Sequence, residues 1–530
     1  MIKSKKYYKI IGAVILASIM NISMVSAGTT NNVLSNEKVS LKKIAGVSLD
    51  TVSEDGGAAE IMKYNKDNNK VYVINGVKSK VFVASLDGLK NGESNFKVEK
   101  SIDIKPLVEK DGFTYGDITS IAISNSRKEI AVAVQAKEYN KNGKIVVMDY
   151  EGNLKKVYNA GVQPDMVTYT NDSKYLLTAN EGEPRLGISA NVEDPKGSAT
   201  IVNLENGSIK LATFDKFNSE RASLVAKGVL ISKGVNPSED FEPEYMAIDS
   251  SNKYAYVTLQ ENNSIATLDI EKGEFVSVDS LGVKSNSALN NAIDVVKDGK
   301  IDIKTQNLYS TYMPDSIAFY EVNGKKYLLT ANEGDGREYI QEENANIKLE
   351  NEYNNISSIM VEGKKVEVIN KDVVDGLEKN KNYLFGGRSF SIWDAETKKI
   401  VFDSGSDFEK ITAQKFQKYF NCSNDNIELD SRSGKKGPEA EEVKVSKVGD
   451  KVYAYIGLER IGGVMVYDIT NPSKATFKTY INTREFTDNI AGDVAPECID
   501  IINEEYSKTG NTLIAVSNEV SGTISILEQK

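Results

Sequence analysis

The sequence predicts an all-β protein, a seven-bladed β-propeller that is closed by an N-terminal strand and carries loop insertions. The first observation is a near duplication. Residues 163–185 and 313–339 each contain an acid after a proline, an alternating strand, a polar turn and the run YLLTANEG. The second observation is that five weaker copies of this pattern occur elsewhere in the chain. Repeated antiparallel units of this kind are typical of propeller blades.

Each copy opens with an acid and has an apolar or aromatic residue four positions later. The opening acids are Glu60, Asp117, Asp165, Glu244, Asp315, Glu439 and Glu497. A polar turn and a second strand follow, as in YAYVTLQE, and a third strand comes a few residues later, as in KIVVMDY. Apolar and polar side chains alternate with a period of two in these strands, which indicates half-buried β-strands.

The copies account for one propeller domain over residues 28–530. The segment VSLKKIAGVSL near residue 40 has no opening acid, so we expect it to be the outer strand of the last blade, beside TISIL. This pairing closes the ring and removes an open edge. Two wide gaps between copies predict insertions at about 338–384 and 405–436. The segments SERASLVAKGVL and DFEKITAQKFQKYF are the exceptions that predict surface helices.

Composition excludes several classes of function. The formal net charge is −11, so nucleic acid and anionic membrane surfaces are not expected partners. The chain contains no histidine, which excludes a Ser-His-Asp triad and zinc sites built on imidazole. No Gly-x-Ser-x-Gly elbow is present, and the catalytic residues of any enzyme activity stay unknown. A metal-bound water is then the expected nucleophile.

The N-terminus predicts export. Four lysines precede an apolar run that is too short to span a membrane, and VSA ends at residue 27. This is the pattern of a secretory signal peptide, residues 1–27. The C-terminus shows neither a hydrophobic tail nor a sorting signal. We therefore expect a secreted, extracellular monomer without a transmembrane anchor.

Two cysteines, Cys422 and Cys498, remain in the sequence. In an oxidising compartment they could form a disulfide, or both could stay free thiols. Even if the disulfide forms, a single bond cannot stabilise a domain of this size by itself.

The opening acids predict a cation site. In a propeller blade the first strand lines the central channel, and the second strand returns to the same rim. Carboxylates crowded there raise one another's pKa unless a cation is present, and calcium takes oxygen ligands without histidine or thiol. The expected calcium ligands are Asp165, Glu181, Glu244, Asp315, Glu333, Glu439, Glu459, Glu497 and Glu519.

The arginines predict an anion site on the same rim. Lysine far outnumbers arginine in this chain, and five of the eight arginines fall in rim loops. Arginine presents a planar fork that binds phosphate or carboxylate with two hydrogen bonds. The expected phosphate-binding residues are Arg185, Arg337, Arg388, Arg432 and Arg460. The alternative is structural: acids that accept backbone N–H groups, and arginines that pair with those acids.

Several longer motifs resemble one bacterial family. ANEGEPR, MPDSIAFY, ANEGDGREY, GGRSFSIWD, SRSGKKGPEAEEV, IGLERIGGVMVYDITNP and SNEVSGTISI resemble the choice-of-anchor I domain family. It is related to an atypical secreted alkaline phosphatase and to mesenchyme-specific cell-surface glycoproteins. The resemblance implies an exported propeller-type domain and a calcium-dependent, phosphatase-like activity. The stretch KGPEAEEV departs from the family form KGPEPEG next to Glu439.

Two functions follow as hypotheses. The first is a secreted propeller with a calcium-assisted, arginine-lined site for a small anionic ligand such as a phosphoester, which it hydrolyses as a phosphatase. The alternative is a non-enzymatic binding or adhesion module of the cell envelope or extracellular space, in which calcium is structural. The rim motifs contain few aromatic residues, and this favours an anionic ligand over a glycan platform.

Overall fold

A computed structural model describes residues 32–35, 39–90, 94–185, 193–337 and 354–530. The predicted signal peptide, residues 1–27, lies outside the described residues, as does the first part of the first predicted insertion.

The described residues form seven antiparallel sheets of four or five strands, which we number in chain order by their inner strands. Sheets 1 to 3 each consist of four consecutive strands. Their bounds are Met62–Asn65, Lys70–Asn75, Lys80–Ser85 and Lys97–Asp103 for sheet 1; Tyr115–Ser124, Glu129–Ala136, Asn142–Met148 and Leu154–Val162 for sheet 2; and Pro164–Tyr169, Tyr175–Asn180, Ser198–Asn203 and Ile209–Thr213 for sheet 3.

Sheets 4 to 7 follow the same plan. Their bounds are Pro243–Ile248, Tyr254–Leu259, Ser264–Asp269 and Glu274–Ser280 for sheet 4; Ile317–Val322, Lys325–Asn332, Ser389–Asp394 and Ile400–Asp403 for sheet 5; Ala440–Val448, Lys451–Leu458, Val464–Asp468, Thr476–Asn482 and, outermost, Asn32–Ser35 for sheet 6; and Pro496–Ile502, Leu513–Asn518, Thr523–Gln529 and Leu41–Ser48 for sheet 7.

The inner strands are arranged in a closed ring. Each inner strand contacts those of the sheets before and after it, and the inner strand of sheet 7 contacts that of sheet 1. The predicted closing strand is present, because Leu41–Ser48 pairs with Thr523–Gln529 on the outside of sheet 7. The prediction of an all-β protein of the propeller type is therefore confirmed.

Apolar residues on neighbouring sheets form the core between them. In sheet 3, for example, Leu177 pairs with Ile201, and both are buried in a cluster that includes Val257 and Leu268 of sheet 4. This packing explains the alternation in the sequence, because each sheet buries both faces against its two neighbours.

The duplicated TAN of YLLTANEG has a structural role. In sheet 3, Asn180 donates to Thr200 at 3.0 Å and accepts from Thr178 at 2.8 Å. In sheet 5, Asn332 donates to Ser391 at 2.8 Å and accepts from Thr330 at 2.8 Å. Buried polar side chains must find partners, so these networks fix the second and third strands together.

The connections contain short helices and small strands. The α-helices are Lys105–Val108, Arg221–Ala226, Pro237–Asp240 and Asp407–Lys415, and the 3₁₀-helices are Asp215–Glu220, Leu289–Asn291, Gln417–Tyr419 and Pro472–Lys474. The remaining strands are Ile231–Ser232 with Val374–Asp375, Val283–Ser285 with Tyr309–Thr311 and Tyr383–Leu384, and the hairpin Ile356–Val361 with Lys364–Ile369. Both segments predicted as helical contain a helix, and the one at 407–415 buries Phe408 and Ile411.

Candidate functional site

A cavity of about 110 Å³ lies at the centre of the ring. All seven sheets contribute to its wall, each through its inner strand or the residues just before that strand. Sheets 2 and 4 contribute Thr119 and Tyr245. The other five sheets contribute carboxylates, which are Glu60, Asp165, Asp315, Glu442 and Glu497.

The register of the strands identifies the acid that opens four of the sheets. In sheets 3, 4 and 7, a proline at the start of the inner strand pairs with the last residue of the second strand, and an acid follows that proline. These acids are Asp165, Glu244 and Glu497. In sheet 6 the residue in the position of the proline is Ala440, which pairs with Leu458. The acid that follows is Glu441.

The assignment of Glu439 as the opening acid of sheet 6 is therefore wrong by two residues. Glu439 has a φ of 51°, in the left-handed region that Gln163 and Ala495 also adopt before their prolines. Its carbonyl accepts from Glu459 N at 2.9 Å, as those of Gln163 and Ala495 accept from Glu181 N and Glu519 N. In sheet 6 the proline, Pro438, precedes this turn instead of following it. The acid directly after the proline is therefore not the opening acid of this sheet.

Glu439 instead forms a buried ionic cluster. It is fully buried and accepts from Arg432 Nε and Arg460 Nε, both at 2.9 Å, and from Lys436 at 3.0 Å. Burial acts to raise the pKa of Glu439, but Lys436, Arg460 and Arg432 hold that pKa well below its usual range. Its negative charge is already balanced by three cations, so Glu439 is not an available metal ligand.

A group of three carboxylates lies beside this cluster. Glu333, Glu441 and Glu459 each place an oxygen within 4.8 Å of the others. Glu333 also accepts from Lys436 at 2.5 Å and from Gln260 at 2.7 Å. The three residues come from sheets 5 and 6, and Glu441 was missed in the sequence because it follows an alanine.

Two of the opening acids, Asp315 and Glu497, are electrostatically coupled to this group. Burial raises the pKa of Glu441, and Glu333, Asp315, Glu497 and Glu459 raise it further. The like charges of Asp315 and Glu497 belong to the wall of the central cavity. The three carboxylates and the cavity thus form one continuous acidic region, which we call the channel site.

Burial raises the pKa of every predicted metal ligand except Glu439, whose pKa is lowered. Asp165 reaches about 6, although Arg185 opposes the shift. Burial also raises the pKa of Glu261, which follows the second strand of sheet 4, to about 7. Burial also raises the pKa of Glu60, and the nearby carboxylates of Asp117 and Glu519 raise it further. Without a cation, the charged form of these groups is disfavoured.

Some of these carboxylates have an oxygen with no hydrogen-bond partner among the described residues. Buried, unpartnered oxygens occur on Glu60, Glu244, Glu261 and Glu441. Glu244 is only 8% exposed. Buried polar atoms normally have partners, and a set of carboxylate oxygens suits a hard cation such as calcium. The residues present therefore fit a divalent cation.

Two of the five predicted phosphate-binding arginines hold the fold together. Arg388 is 1% exposed and donates to Glu409 Oε1 at 2.6 Å and to backbone carbonyls, among them those of Ser433 at 2.8 Å and Lys435 at 2.7 Å. Arg337 is 4% exposed and donates to Glu242 Oε2 at 2.9 Å. The acid that pairs with Arg388 and the acid that pairs with Arg337 are different residues, and neither belongs to the channel site.

The other three lie closer to solvent. Arg432 and Arg460 converge on Glu439, and Arg460 also contacts Glu459 at 2.8 Å. Arg185 is exposed and donates to Gln135 at 2.8 Å. The structure thus brings two of the five arginines together and leaves the other three with separate partners.

A polar network crosses the floor of the channel. The Tyr245 hydroxyl of sheet 4 donates to Glu442 Oε2 of sheet 6 at 3.2 Å, and Lys444 contacts both residues at 3.1 Å. Burial raises the pKa of Tyr245 well above its usual range. The sequence signal for this network was the charge of Glu442 and Lys444 on one face of an inner strand. Their partner across the ring was not predictable from the sequence.

Cys422 and Cys498 are both free and buried. Burial raises the pKa of Cys422 to about 11 despite the nearby Arg484. Neither thiol belongs to the channel site.

Among the described residues, no helix combines the length and the apolarity needed to cross a membrane.

Two solved structures resemble the chain at low similarity. They are hydrazine synthase of Kuenenia stuttgartiensis, with a TM-score of 0.44 and 12% identity over 91% of this chain and 98% of that chain, and the Cps50 (Swd1) β-propeller domain of Myceliophteria thermophila, with a TM-score of 0.43 and 9% identity over the same shares.

Two curated proteins match in sequence. Gigasin-3a of Magallana gigas is 33% identical over 162 residues, which are 28% of this chain and 57% of that protein. A mesenchyme-specific cell surface glycoprotein of Strongylocentrotus purpuratus is 25% identical over 347 residues, 54% of this chain and 44% of that protein. The chain spans about half the length of these relatives. The model of the choice-of-anchor I domain matches residues 60–472, and the chain belongs to this family.

Proposed function

We propose that this protein is an extracellular calcium-binding propeller whose channel site holds the phosphate group of a ligand and hydrolyses its ester. The seven sheets are in this proposal the blades of a seven-bladed ring. At the channel, acids from five of the seven sheets line one cavity.

The unpartnered carboxylate oxygens are the observation that carries the proposal. The channel site and two adjacent acids, Glu244 and Glu261, combine like charges and burial. Glu60, Glu244, Glu261 and Glu441 each have an oxygen without a donor. Such an arrangement is costly when its carboxylates are ionised. A bound divalent cation would remove this cost, because it supplies the missing positive charge and accepts several oxygen ligands.

The ligand set proposed for calcium begins with Glu333, Glu441 and Glu459, whose oxygens are already close together. Asp165, Asp315 and Glu497 line the adjoining cavity and complete the region for a second ion or for bound water. When bound, calcium would act as a Lewis acid on a phosphoryl oxygen. Glu439 takes no part as a ligand because three cations already neutralise it.

Arg432 and Arg460 would hold the anion beside the metal. Arg432 Nη1 and Arg460 Nη2 have no hydrogen-bond partner among the described residues, and the two side chains are 15% and 21% exposed. Glu439 holds the other two nitrogens of Arg432 and Nε of Arg460, and Glu459 pairs with Nη1 of Arg460. This leaves two donors that can turn to a phosphate without breaking the buried cluster.

An extracellular location is part of the proposal. It is supported by the name of one relative, a cell surface glycoprotein, together with the family match. Calcium is abundant outside cells, where sites of modest affinity are filled.

Hydrolysis of p-nitrophenyl phosphate, measured with added calcium and with a chelator, tests the proposal. We expect turnover that depends on calcium and falls at least tenfold in R460K, which keeps the charge beside Glu439 but loses the fork. The matched control is R127K, because Arg127 pairs with Glu129 at 3.0 Å in sheet 2 and lies outside the channel site. Equal loss in both variants would reject the role of Arg460.

A non-enzymatic binding module is the second candidate. The paired state of Arg337 and Arg388 favours it, since the full arginine clamp expected of a phosphatase is not assembled. Calcium-dependent stability without any turnover would support this candidate over hydrolysis.

A further inference from the structure

A second cavity, of about 450 Å³, lies outside the channel site. One wall is the hairpin Ile356–Val361 with Lys364–Ile369, and the other is the loop 431–435 that leads into sheet 6. Its polar lining consists mainly of three lysines and three serines, which are Lys297, Lys365, Lys435, Ser357, Ser358 and Ser431.

The hairpin directs its charged face towards this cavity. Val366 and Val368 are buried in a core cluster on one face of the hairpin. Lys365 and Glu367 alternate with them, so they lie on the opposite face. That face lines the cavity, and Ser358, the cross-strand partner of Glu367, lines it as well.

The loop is fixed to the hairpin at short range. Glu367 N donates to the carbonyl of Gly434 at 2.8 Å, and a Cβ at Gly434 would lie 2.8 Å from the carbonyl oxygen of Lys365. Arg388 holds the same loop from below through the carbonyls of Ser433 and Lys435. The cavity is therefore preformed, which lowers the cost of ordering its walls when a ligand binds.

The lysines leave a net positive charge in the cavity. Lys297 pairs with Glu428 at 2.9 Å, and Lys435 pairs with Glu367 at 3.1 Å. Lys365 has no ion pair with any described residue. In a chain of net charge −11, an unpaired lysine between hydroxyls and two further lysines favours an anionic ligand.

We infer that this cavity binds a phosphate or sulfate group. Lysine ammonium groups and serine hydroxyls are donors for a tetrahedral oxyanion. The volume is within the range of pockets for small organic ligands and leaves room for the molecule that carries the group. The ligand source is either a free oxyanion or a sulfated or phosphorylated glycan, and both present the same group.

Binding of three probes to the intact protein distinguishes these sources: inorganic phosphate, inorganic sulfate and sulfated dextran, followed by isothermal titration calorimetry. We expect binding that weakens about tenfold in K365S and further in K365S/K435S. The matched control is K364S, since Lys364 is the neighbouring exposed lysine on the other face of the hairpin. Binding of the inorganic ions identifies a site for the group alone, and binding of the dextran alone identifies the carrier as required.

Two results would overturn the inference: no binding of any probe, or equal weakening in K364S and K365S, which would indicate general charge attraction. A variant that fails to fold is recognised by its melting temperature, and K365R then keeps the test open because it should restore binding. The site contains no proposed calcium ligand, so binding should persist in a chelator. The inference therefore stands or fails independently of the channel site.

Discussion

A carboxylate oxygen of Glu441 lies within 4.8 Å of one from Glu333 on the neighbouring sheet. Burial raises the pKa of both acids. When both are ionised they repel each other, and a bound cation would offset this repulsion. Only Glu333 has a cationic partner, Lys436, and one Glu441 oxygen has no partner. This contrast between the two residues is the basis of the calcium proposal.

The two neighbouring acids Glu439 and Glu441 should respond in opposite ways to neutralisation. We expect E439Q to lower the free energy of unfolding by about 3–5 kcal/mol, because it removes the buried carboxylate that Arg432, Lys436 and Arg460 share. We expect E441Q to raise the melting temperature in a chelator by a few degrees, since it removes a repelled charge. Urea and thermal unfolding of both variants provide the measurement.

A destabilised E441Q variant in chelator would contradict this assignment. It would mean that Glu441 is stabilised by the protein alone and has no need of a cation.

Arg388 should be a stability residue and not a ligand residue. R388A removes a buried guanidinium that serves Glu409 and three backbone carbonyls, and we expect a loss of about 3–5 kcal/mol in urea unfolding. R388K should recover part of this, because lysine keeps the charge but cannot span the same acceptors. Equal stability of R388K and the unchanged protein would show that the fork geometry is unimportant.

The propeller could be predicted because its signals are local. Strand alternation, polar turns and the opening acids are each written within about ten residues, and the closing strand Leu41–Ser48 was recognisable because it lacked an opening acid. The ring of acids followed from the repeat itself, since equivalent positions in equivalent blades must meet at the channel.

The parts that were missed depend on contacts between distant segments. The register of sheet 6 includes a bulge between Ala440 and Val443, and no local signal distinguishes Glu439 from Glu441 there. Arg388 was expected at a ligand, but its partner Glu409 lies in a helix of the second predicted insertion. A sequence pattern cannot show which acceptor a long side chain will reach.

Asn332 should contribute to stability through the network of the repeated TAN. N332A removes the hydrogen bonds that Asn332 makes with Thr330, Ser389 and Ser391, and we expect a loss of about 1–3 kcal/mol. The control is N95A, because Asn95 is exposed and should change stability by less than about 0.5 kcal/mol. If both variants lose the same amount in urea unfolding, the network is not stabilising.

Both thiols should be free and protected. Because Cys422 and Cys498 are buried and unbonded, we expect no reaction with Ellman's reagent in the folded protein and two equivalents after denaturation without reductant. Fewer than two equivalents in the denatured protein would indicate a disulfide and contradict the structure.

The central claim is that the carboxylates of the channel site bind calcium, and calorimetric titration of the chelator-treated protein with calcium tests it most directly. The account predicts saturable binding that weakens at least tenfold in E441Q, because a ligand charge is lost. It also predicts unchanged binding in E367Q, whose carboxylate lies at the second cavity. No calcium binding, or equal binding in the unchanged protein and E441Q, would contradict it.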